Sequence, residues 1–219
     1  MSEEPESLID ALALAEVELP GKQVDQLDAY RQLLWAWNGR MNLTRHTTFD
    51  KFVTRDLVDS LELAKLLERG ERVLDVGSGG GVPGIILAIV RPDLRLSLCE
   101  SVNKKAEALG EMVAELNLDV PVYPNRVDDL LEACTFDTLV ARAVAPMKKM
   151  LRWLQPRWES FDRLLLIKGR SWVDERGEAR HHGLLKELEL RKSVEYFTPR
   201  TDALSVILSL RRTERAGDA

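Results

Sequence analysis

The sequence predicts an α/β fold in which a helical segment is followed by a mostly parallel sheet that ends in an antiparallel hairpin. From residue 72 onward, short apolar runs typical of strands alternate with longer amphipathic stretches typical of helices. A glycine cluster joins the first strand to the next helix, and two strand-like runs close the chain. Strands that alternate with helices form βαβ units, whose parallel sheet is covered on both faces.

The first seventy residues show helical patterns and no strand-like run. Apolar side chains at helical spacing predict one helix over 22–38, which lies between Pro20-Gly21 and Asn38-Gly39. A second helix is predicted from Thr48, with Asp50 in its first turn, to Gly70. The expected division of the chain is a helical cap at 1–70 within the same domain, a core at 71–212 and a disordered tail at 213–219.

The core is predicted as an alternation of strands and helices that finishes with two strands joined by a short turn. Strands are expected at 72–76, 95–100, 120–123, 136–143, 164–168, 192–198 and 204–210. Helices are expected at 83–90, 103–117 and 147–154, and Pro83 suits the first helical position, where its missing N–H costs nothing. The spacing of the last two strands predicts an antiparallel hairpin.

Composition excludes several classes of protein. The chain has 219 residues, 45% hydrophobic and 31% charged, which is typical of a globular protein. Its two cysteines and three histidines show no C-x-x-C pattern, so neither a disulfide scaffold nor a metal site is expected. No apolar run approaches the length of a membrane span, and the N-terminus is acidic where a signal peptide would be basic. We therefore expect a cytoplasmic protein with no membrane partner.

The net charge of −5 conceals an asymmetry along the chain. Residues 71–137 carry a charge of −6, whereas residues 138–219 carry +6. Within 138–170 there are eight basic and two acidic residues. Because a polyanion meets a local surface and not the whole-chain charge, a phosphate-bearing substrate stays open.

The stretch from Asp75 to Gly84, Asp-Val-Gly-Ser-Gly-Gly-Gly-Val-Pro-Gly, is the most informative part of the sequence. It lies between a predicted strand and helix, where glycines allow a tight turn and the close approach of a ligand. The next strand ends at Glu100, near the position at which an acidic residue takes ribose hydroxyls in dinucleotide folds.

Two ligand classes suit this loop. A nicotinamide or flavin dinucleotide would place its pyrophosphate at the helix N-terminus. However, the carboxylate of Asp75 directly before the loop repels phosphate and favours a cationic ligand. S-adenosylmethionine, which has an ammonium, a sulfonium and a ribose but no phosphate, fits better. The helical segment and the terminal hairpin also favour this class I methyltransferase arrangement, with a ligand-free packing turn as the remaining alternative.

Two further strand ends carry candidate residues. Val127 and Asp128 follow the third strand, where a backbone N–H and a carboxylate can bind adenine, although an exposed acidic loop fits the residues equally well. Arg142 lies between two alanines after the fourth strand, at the edge where ligands bind in open α/β sheets. A functional role is favoured there over a structural ion pair.

With these residues in hand, the chain resembles the bacterial small-subunit ribosomal RNA guanine-N(7) methyltransferases, also called the glucose-inhibited division protein B family. The resemblance runs from about Leu27 to Leu210. Its landmarks are Trp37-Asn38, Asn42-Leu43-Thr44, Arg55, Asp59-Ser60, the loop from Asp75 to Ile85, Glu100-Ser101, Lys104-Lys105, Arg142-Ala143 and Lys168-Gly169.

The resemblance implies S-adenosylmethionine as methyl donor, S-adenosylhomocysteine as product, and a guanosine in the 530 loop of 16S rRNA as acceptor. The predicted cofactor residues are Asp75, Gly77, Ser78, Gly79, Val82, Glu100, Val127, Asp128 and Arg142. The predicted acceptor-side residues are Asn42, Arg55, Asp59, Ser60, Lys168 and Arg200. Among these, Arg142, Asn42 and Asp59 are the predicted catalytic residues.

Two positions depart from the family pattern. Members commonly have histidine after the arginine, whereas Asp56 follows Arg55 in this chain. Many also have arginine at the start of the last strand, where this chain has Ala203, and Arg200 across the turn is a candidate replacement.

Guanine N7 carries an in-plane lone pair, so its methylation requires no general base. We therefore expect direct transfer promoted by proximity and orientation. The predicted RNA-contacting residues are Lys148, Lys149, Arg152, Arg157, Lys168 and Arg170, although a solvated helix face explains 148–157 equally well. The expected partner is 16S rRNA or the small ribosomal subunit particle, bound by a monomer. The alternatives are methylation of another RNA or a metabolite, a nicotinamide-dependent oxidoreductase, and a non-enzymatic RNA-binding module.

Overall fold

A computed structural model describes residues 4–213 and contains a seven-stranded sheet. The strands are β1 Arg72–Val76, β2 Arg95–Cys99, β3 Val122–Tyr123, β4 Phe136–Arg142, β5 Phe161–Gly169, β6 Leu188–Phe197 and β7 Leu204–Arg212. They are ordered β3-β2-β1-β4-β5-β7-β6. The first five are parallel, whereas β7 pairs antiparallel with both β5 and β6. The predicted α/β fold with a C-terminal antiparallel hairpin is therefore confirmed.

Nine α-helices surround this sheet in the part of the chain that the structure describes. They are α1 Leu8–Leu14, α2 Gly21–Asn38, α3 Phe49–Lys51, α4 Val58–Ala64, α5 Gly84–Val90, α6 Asn103–Glu115, α7 Val127–Ala133, α8 Met147–Leu154 and α9 Trp172–His181. A π-helical segment, Phe52–Leu57, joins α3 to α4, and a 3₁₀ segment, Gln155–Ser160, follows α8.

Two of the four cap helices, α1 and α3, begin where a side chain satisfies a free backbone N–H group. The Ser7 hydroxyl accepts from the Asp10 N–H at the start of α1, and the Thr48 hydroxyl accepts from the Lys51 N–H at the start of α3. Thr48 therefore begins the second predicted helix, as expected. That helix is not uniform, because it contains the π-helical segment and ends at Ala64 instead of Gly70.

Several other elements differ from the sequence-based expectations. Pro83 does not occupy the first helical position: it precedes α5 and follows a cis peptide bond from Val82. The stretch at Val127, predicted as a loop, is the first turn of α7. Neither α1 nor α9 was predicted: α1 has only seven residues, and α9 is mostly polar and buries only Ala179.

The apolar core forms one cluster on each side of the sheet. Buried side chains of the 8–67 segment, α5 and α6 belong to one cluster, together with β1 and β2 residues such as Val73 and Leu96. The other cluster joins α7, α8 and the C-terminal hairpin to the opposite face. The predicted domain boundaries stay a prediction, and of the predicted disordered tail all but Thr213 lies outside the described residues.

No helix within residues 4–213 is long and apolar enough to cross a membrane. Over the same residues, no group of three or more His, Cys, Asp or Glu side chains is placed to hold a metal ion.

Candidate methyltransferase site

The glycine loop lies at the carboxyl end of β1, between the central strands of the sheet. Gly77 has a φ of 67°, and a Cβ built there would lie 2.7 Å from Val144 Cγ1. A Cβ on Gly84 would collide with Leu98 and with the Asp75 carboxylate. Glycine is therefore required at both ends of the loop, by backbone conformation at the first and by close approach at the second.

Asp75 ends inside the protein, beneath this loop. Its side chain is fully buried, and Oδ2 accepts from the Gly84 N–H at 3.1 Å. Oδ1 is also buried and has no hydrogen-bond partner among the described residues. Burial raises the pKa of Asp75 to about 7, against the lowering effect of the Gly84 N–H. A buried carboxylate oxygen without a donor is costly, and it marks a position that an external donor would stabilise.

Other predicted cofactor residues hold the loop itself. The Ser78 hydroxyl donates to the Asp75 carbonyl at 2.9 Å and accepts from the Cys99 N–H at 3.2 Å. The Glu100 carboxylate accepts from the Gly79 N–H at 3.0 Å and from the Val102 N–H at 2.8 Å. These bonds connect the carboxyl ends of β1 and β2. The predicted ribose contact of Glu100 stays a prediction.

A pocket opens beside the loop at the carboxyl edge of the sheet. It is lined by Val76, Gly77, Cys99, Ser101, Asn125, Arg126, Val127, Asp128, Val144 and Trp153. It brings together three of the predicted cofactor residues: Gly77, Val127 and Asp128. The other six, which are Asp75, Ser78, Gly79, Val82, Glu100 and Arg142, are not among the described residues that line it.

The surroundings shift the pKa values of two groups that line this pocket, Asp128 and Cys99. The Asp128 carboxylate pairs with Arg126 at 2.9 Å, which lowers the pKa of Asp128, so it stays an acceptor at neutral pH. Burial raises the pKa of the Cys99 thiol to about 12, so this cysteine is unsuited to nucleophilic catalysis. Trp153 lines the same pocket, and the Lys149 ammonium lies 5.1 Å from its ring centroid.

Arg142, at the end of β4, is held between two carboxylates from the cap. Its guanidinium donates to Asp56 Oδ1, to Asp59 Oδ2 at 3.1 Å and to the Arg55 carbonyl at 3.2 Å. Burial acts to lower the pKa of Arg142, but the attraction of Asp56 and Asp59 outweighs it and raises the pKa. Burial raises the pKa of Asp59, which also accepts from the Tyr196 hydroxyl at 2.7 Å.

The remaining acceptor-side residues differ in accessibility. Asn42 is exposed in the loop between α2 and α3, whereas Ser60 is fully buried and its hydroxyl donates to the Asp56 carbonyl at 2.7 Å. Arg55 donates to the Thr198 hydroxyl at 3.1 Å, which connects the cap to the end of β6. The structure thus gives Ser60 and Arg55 contacts within the fold, and their predicted substrate contacts stay predictions.

Four of the six predicted RNA-contacting cations have polar partners within the protein: Lys148, Arg157, Lys168 and Arg170. Lys148 pairs with Glu178 of α9, and Lys168 lies 2.8 Å from Glu175 and 2.9 Å from the Ala145 carbonyl. Arg200 lies 3.3 Å from Asp50, between the hairpin turn and α3. Lys149 is exposed and has no carboxylate partner among the described residues. Arg152 is exposed in the same way, but Lys149 also lies beside Trp153 of the pocket, so its position suits a polyanion best.

Sequence reasoning assigned no role to several residues that the structure brings to the site. Tyr196 and His46 contact the two carboxylates that hold Arg142, and Trp153 lines the pocket. Asp56 was singled out only as a departure from a family pattern. The contacts of Arg142 with Asp56 and Asp59 join residues 86 and 83 positions apart, which no local pattern reports.

Comparison with known proteins decides the family. A model of the family described as rRNA small subunit methyltransferase G matches residues 23–201. The chain belongs to this family. The Ribosomal RNA small subunit methyltransferase G of Rhodopirellula baltica is 57% identical over 194 residues, covering 86% of this chain and 84% of the relative. The protein of the same name from Nitrosococcus oceani is 36% identical and covers 94% of each chain.

Solved structures support the fold independently. A mutant of MtNAS in complex with S-adenosylmethionine superposes with a TM-score of 0.57 at 16% identity, over 95% of this chain and 84% of that chain. M. capricolum TrmK in complex with S-adenosylhomocysteine gives a TM-score of 0.54 at 12% identity, over 73% and 71%. These structures show the fold alone, whereas the family model and the curated relatives confirm the family resemblance and the rRNA methyltransferase class predicted from sequence.

Proposed function

We propose that this protein transfers a methyl group from S-adenosylmethionine to N7 of a guanosine in the 530 loop of 16S rRNA. Membership of the rRNA small subunit methyltransferase G family carries this proposal, and the predicted enzyme class and cofactor agree with it. The geometry supports it through one arrangement: the glycine loop, the pocket and the largely buried Arg142 all lie at the carboxyl ends of the parallel strands.

The residues of this chain fit the cofactor. The orphaned Oδ1 of Asp75 is suited to an ammonium group or to a water bridging to one, and Gly77 leaves space that a Cβ would fill. The pocket beyond it offers the acceptor oxygens of Asp128 and the N–H of Val127 to an adenine. Bound there, S-adenosylmethionine supplies an electrophilic methyl group on a sulfonium.

The protein's own contribution to the reaction is positioning. Guanine N7 presents its lone pair without loss of a proton, so the site needs no general base. Effective molarity from correct orientation can supply up to about 7–11 kcal/mol. Arg142 is the side chain best placed to orient the reactants, since two buried carboxylates fix its guanidinium at the carboxyl edge of the sheet. Asp59 supports Arg142 and is itself fixed by Tyr196.

The proposal includes finer features of the partner and the protein. We expect the acceptor base to be unstacked or flipped on reaching the site, and the exposed Asn42 to contact the RNA. We also propose that the protein acts as a monomer and requires no metal. We propose the cytoplasm as its location, because ribosomal RNA is located there in bacteria.

Mass-spectrometric mapping of 16S rRNA tests the function directly. RNA from cells that lack this protein should lose one methyl group in the 530 loop. Purified protein with S-adenosylmethionine should restore it on naked 16S rRNA or on small subunits from those cells, which also identifies the preferred substrate. Unchanged methylation of the 530 loop in the deletion strain would contradict the proposal.

A further inference from the structure

We infer that His46 is a positioning residue, which acts through Asp56 to couple the loop at residues 39–47 to Arg142. This inference rests on the proposed function, in which Arg142 orients the reacting groups. It assigns a role to His46 and to Asp56, the latter at a position where family members commonly have histidine.

His46 and Arg142 share one oxygen of the Asp56 carboxylate. Asp56 Oδ1 contacts both the Arg142 guanidinium and His46 Nδ1, the latter at 2.7 Å. The Asp56 side chain is fully buried, and its other oxygen has no partner among the described residues. Because the polar contacts of this carboxylate with the described residues converge on one oxygen, we expect loss of the imidazole to alter the contact with Arg142.

The two carboxylates that contact Arg142 come from consecutive helical segments of the cap. Asp56 lies in the π-helical segment, and Asp59 lies three residues later in the first turn of α4. Residues three apart share a helix face, so both carboxylates reach the same guanidinium. Asp59 is fixed by Tyr196 and Arg142, whereas the lateral support of Asp56 comes from His46.

Backbone hydrogen bonds of His46 hold it in its loop. Its backbone carbonyl accepts from Trp35 Nε1 at 3.1 Å, and its N–H donates to the Thr44 hydroxyl at 2.9 Å. The Leu43 carbonyl would lie 3.2 Å from a Cβ on Gly80, so the same loop also packs on the glycine loop. Asn42 projects from this loop into solvent. Contact of RNA with the loop is thus connected to Arg142 through two side chains.

Kinetics of His46→Ala and His46→Asn test the role in the reaction. His46→Ala should lower kcat at saturating rRNA and S-adenosylmethionine by about tenfold or more, since small misplacements in a reacting geometry cost up to about a hundredfold. The Kd for S-adenosylhomocysteine should change less than about twofold. His46→Asn keeps an N–H near the Nδ1 position and should recover most of kcat. Thr47→Ala, at an exposed neighbour in the same loop, is the matched control and should retain wild-type kcat.

A double-mutant cycle tests the route through Asp56. If His46 acts on Arg142 through this carboxylate, His46→Ala should reduce kcat no further in an Asp56→Ala background. Additive losses in the double variant would overturn the inference. So would wild-type kcat for His46→Ala, or parallel losses of kcat, cofactor affinity and Tm without recovery in His46→Asn.

Limited proteolysis gives a readout that is independent of the reaction. Asp56→Ala leaves the sequence around Arg45 unchanged, and it should accelerate trypsin cleavage after Arg45 by freeing the loop from the buried carboxylate. His46→Ala should likewise accelerate cleavage after Arg40. Unchanged cleavage rates would show that the contact between His46 and Asp56 does not hold the loop, and would overturn the inference. A wild-type protein with the protected loop but without activity on 16S rRNA would instead contradict the proposed function alone.

Discussion

Arg142 keeps its charge in a largely buried position because Asp56 and Asp59 lie against its guanidinium. A buried ion pair of this kind does not by itself stabilise a fold, since desolvation offsets much of the attraction. Its value here lies in fixing one donor at the carboxyl edge of the sheet. The functional role favoured for Arg142 from sequence stays a prediction, and the structure shows that Arg142 forms ion pairs with two buried carboxylates.

Removal of the Arg142 guanidinium should separate methyl transfer from cofactor binding. Arg142→Ala should lower the rate of methyl transfer by about a hundredfold or more, because the reactants lose their orientation. It should weaken S-adenosylhomocysteine binding by no more than about threefold, since Arg142 is not among the described residues that line the pocket. Single-turnover kinetics and calorimetry measure the two effects. Arg142→Lys, which keeps the charge and loses the planar fork, separates charge from geometry. Equal losses in rate and affinity would make Arg142 only a binding residue.

The raised pKa of Asp75 should make the stability of the protein depend on pH. Its pKa is about 7 in the folded protein, against an ordinary value of 3.8, so the folded state binds a proton more tightly than the unfolded state. The free energy of unfolding should therefore fall as pH rises through this window, by about 2 kcal/mol between pH 5.5 and pH 8 from this group. Asp75→Asn should remove that part of the pH dependence.

Urea denaturation of the wild type and the Asp75→Asn variant at several pH values measures this difference. The introduced amide has no titrating carboxyl, and its oxygen can still accept from the Gly84 N–H, so the comparison isolates the proton. Parallel stability profiles for the two proteins would show that Asp75 does not titrate in this range.

At the scale of elements, sequence patterns predict what local physics determines. The helix at Met147–Leu154 and the start at Thr48 were predicted because apolar spacing and an N-cap residue are local signals. The polar helix α9 was missed because ion pairs from Lys148 and Lys168 to Glu178 and Glu175 connect it to the fold. The sequence likewise predicted Gly77 and Arg142 as site residues. It did not predict their setting, since the partners of Arg142 come from the cap.

The glycine loop yields a prediction at this scale. Gly77→Ala places a Cβ against Val144 at a positive φ, so the loop or the Val144 side chain must shift where they line the pocket. Affinity for S-adenosylhomocysteine should fall by about tenfold or more, and the fold should lose roughly 1–3 kcal/mol. Gly110→Ala is a matched control, because Gly110 lies inside α6 with open space around it. It should stabilise the protein by about 0.5–1 kcal/mol and leave affinity unchanged. Wild-type affinity in Gly77→Ala would remove the loop from the cofactor site.

At the scale of the whole molecule, the fold collects distant parts of the chain at one edge. The parallel strands place the glycine loop, Arg142 and the pocket at their carboxyl ends, and the cap adds Asp56 and Asp59 from one side. The charge asymmetry of the sequence changes meaning in this setting. Part of the +6 of residues 138–219 is neutralised by acidic residues outside that segment, as Arg157 pairs with Glu132 and Arg163 with Glu71, so the net charge overstates the surface that RNA meets.

The last prediction follows from that distinction. Lys149 is exposed near Trp153 at the pocket and has no carboxylate partner among the described residues, so Lys149→Glu should weaken binding of 16S rRNA. The slope of log affinity against log salt should become shallower by about one, as expected for the loss of one phosphate contact. Arg211→Glu makes the same change in charge at the opposite end of the sheet, where Arg211 pairs in register with Arg163 near the start of β5. Filter binding across salt concentrations compares the two variants. A general electrostatic effect would weaken both equally, whereas a contact at the carboxyl edge weakens only Lys149→Glu.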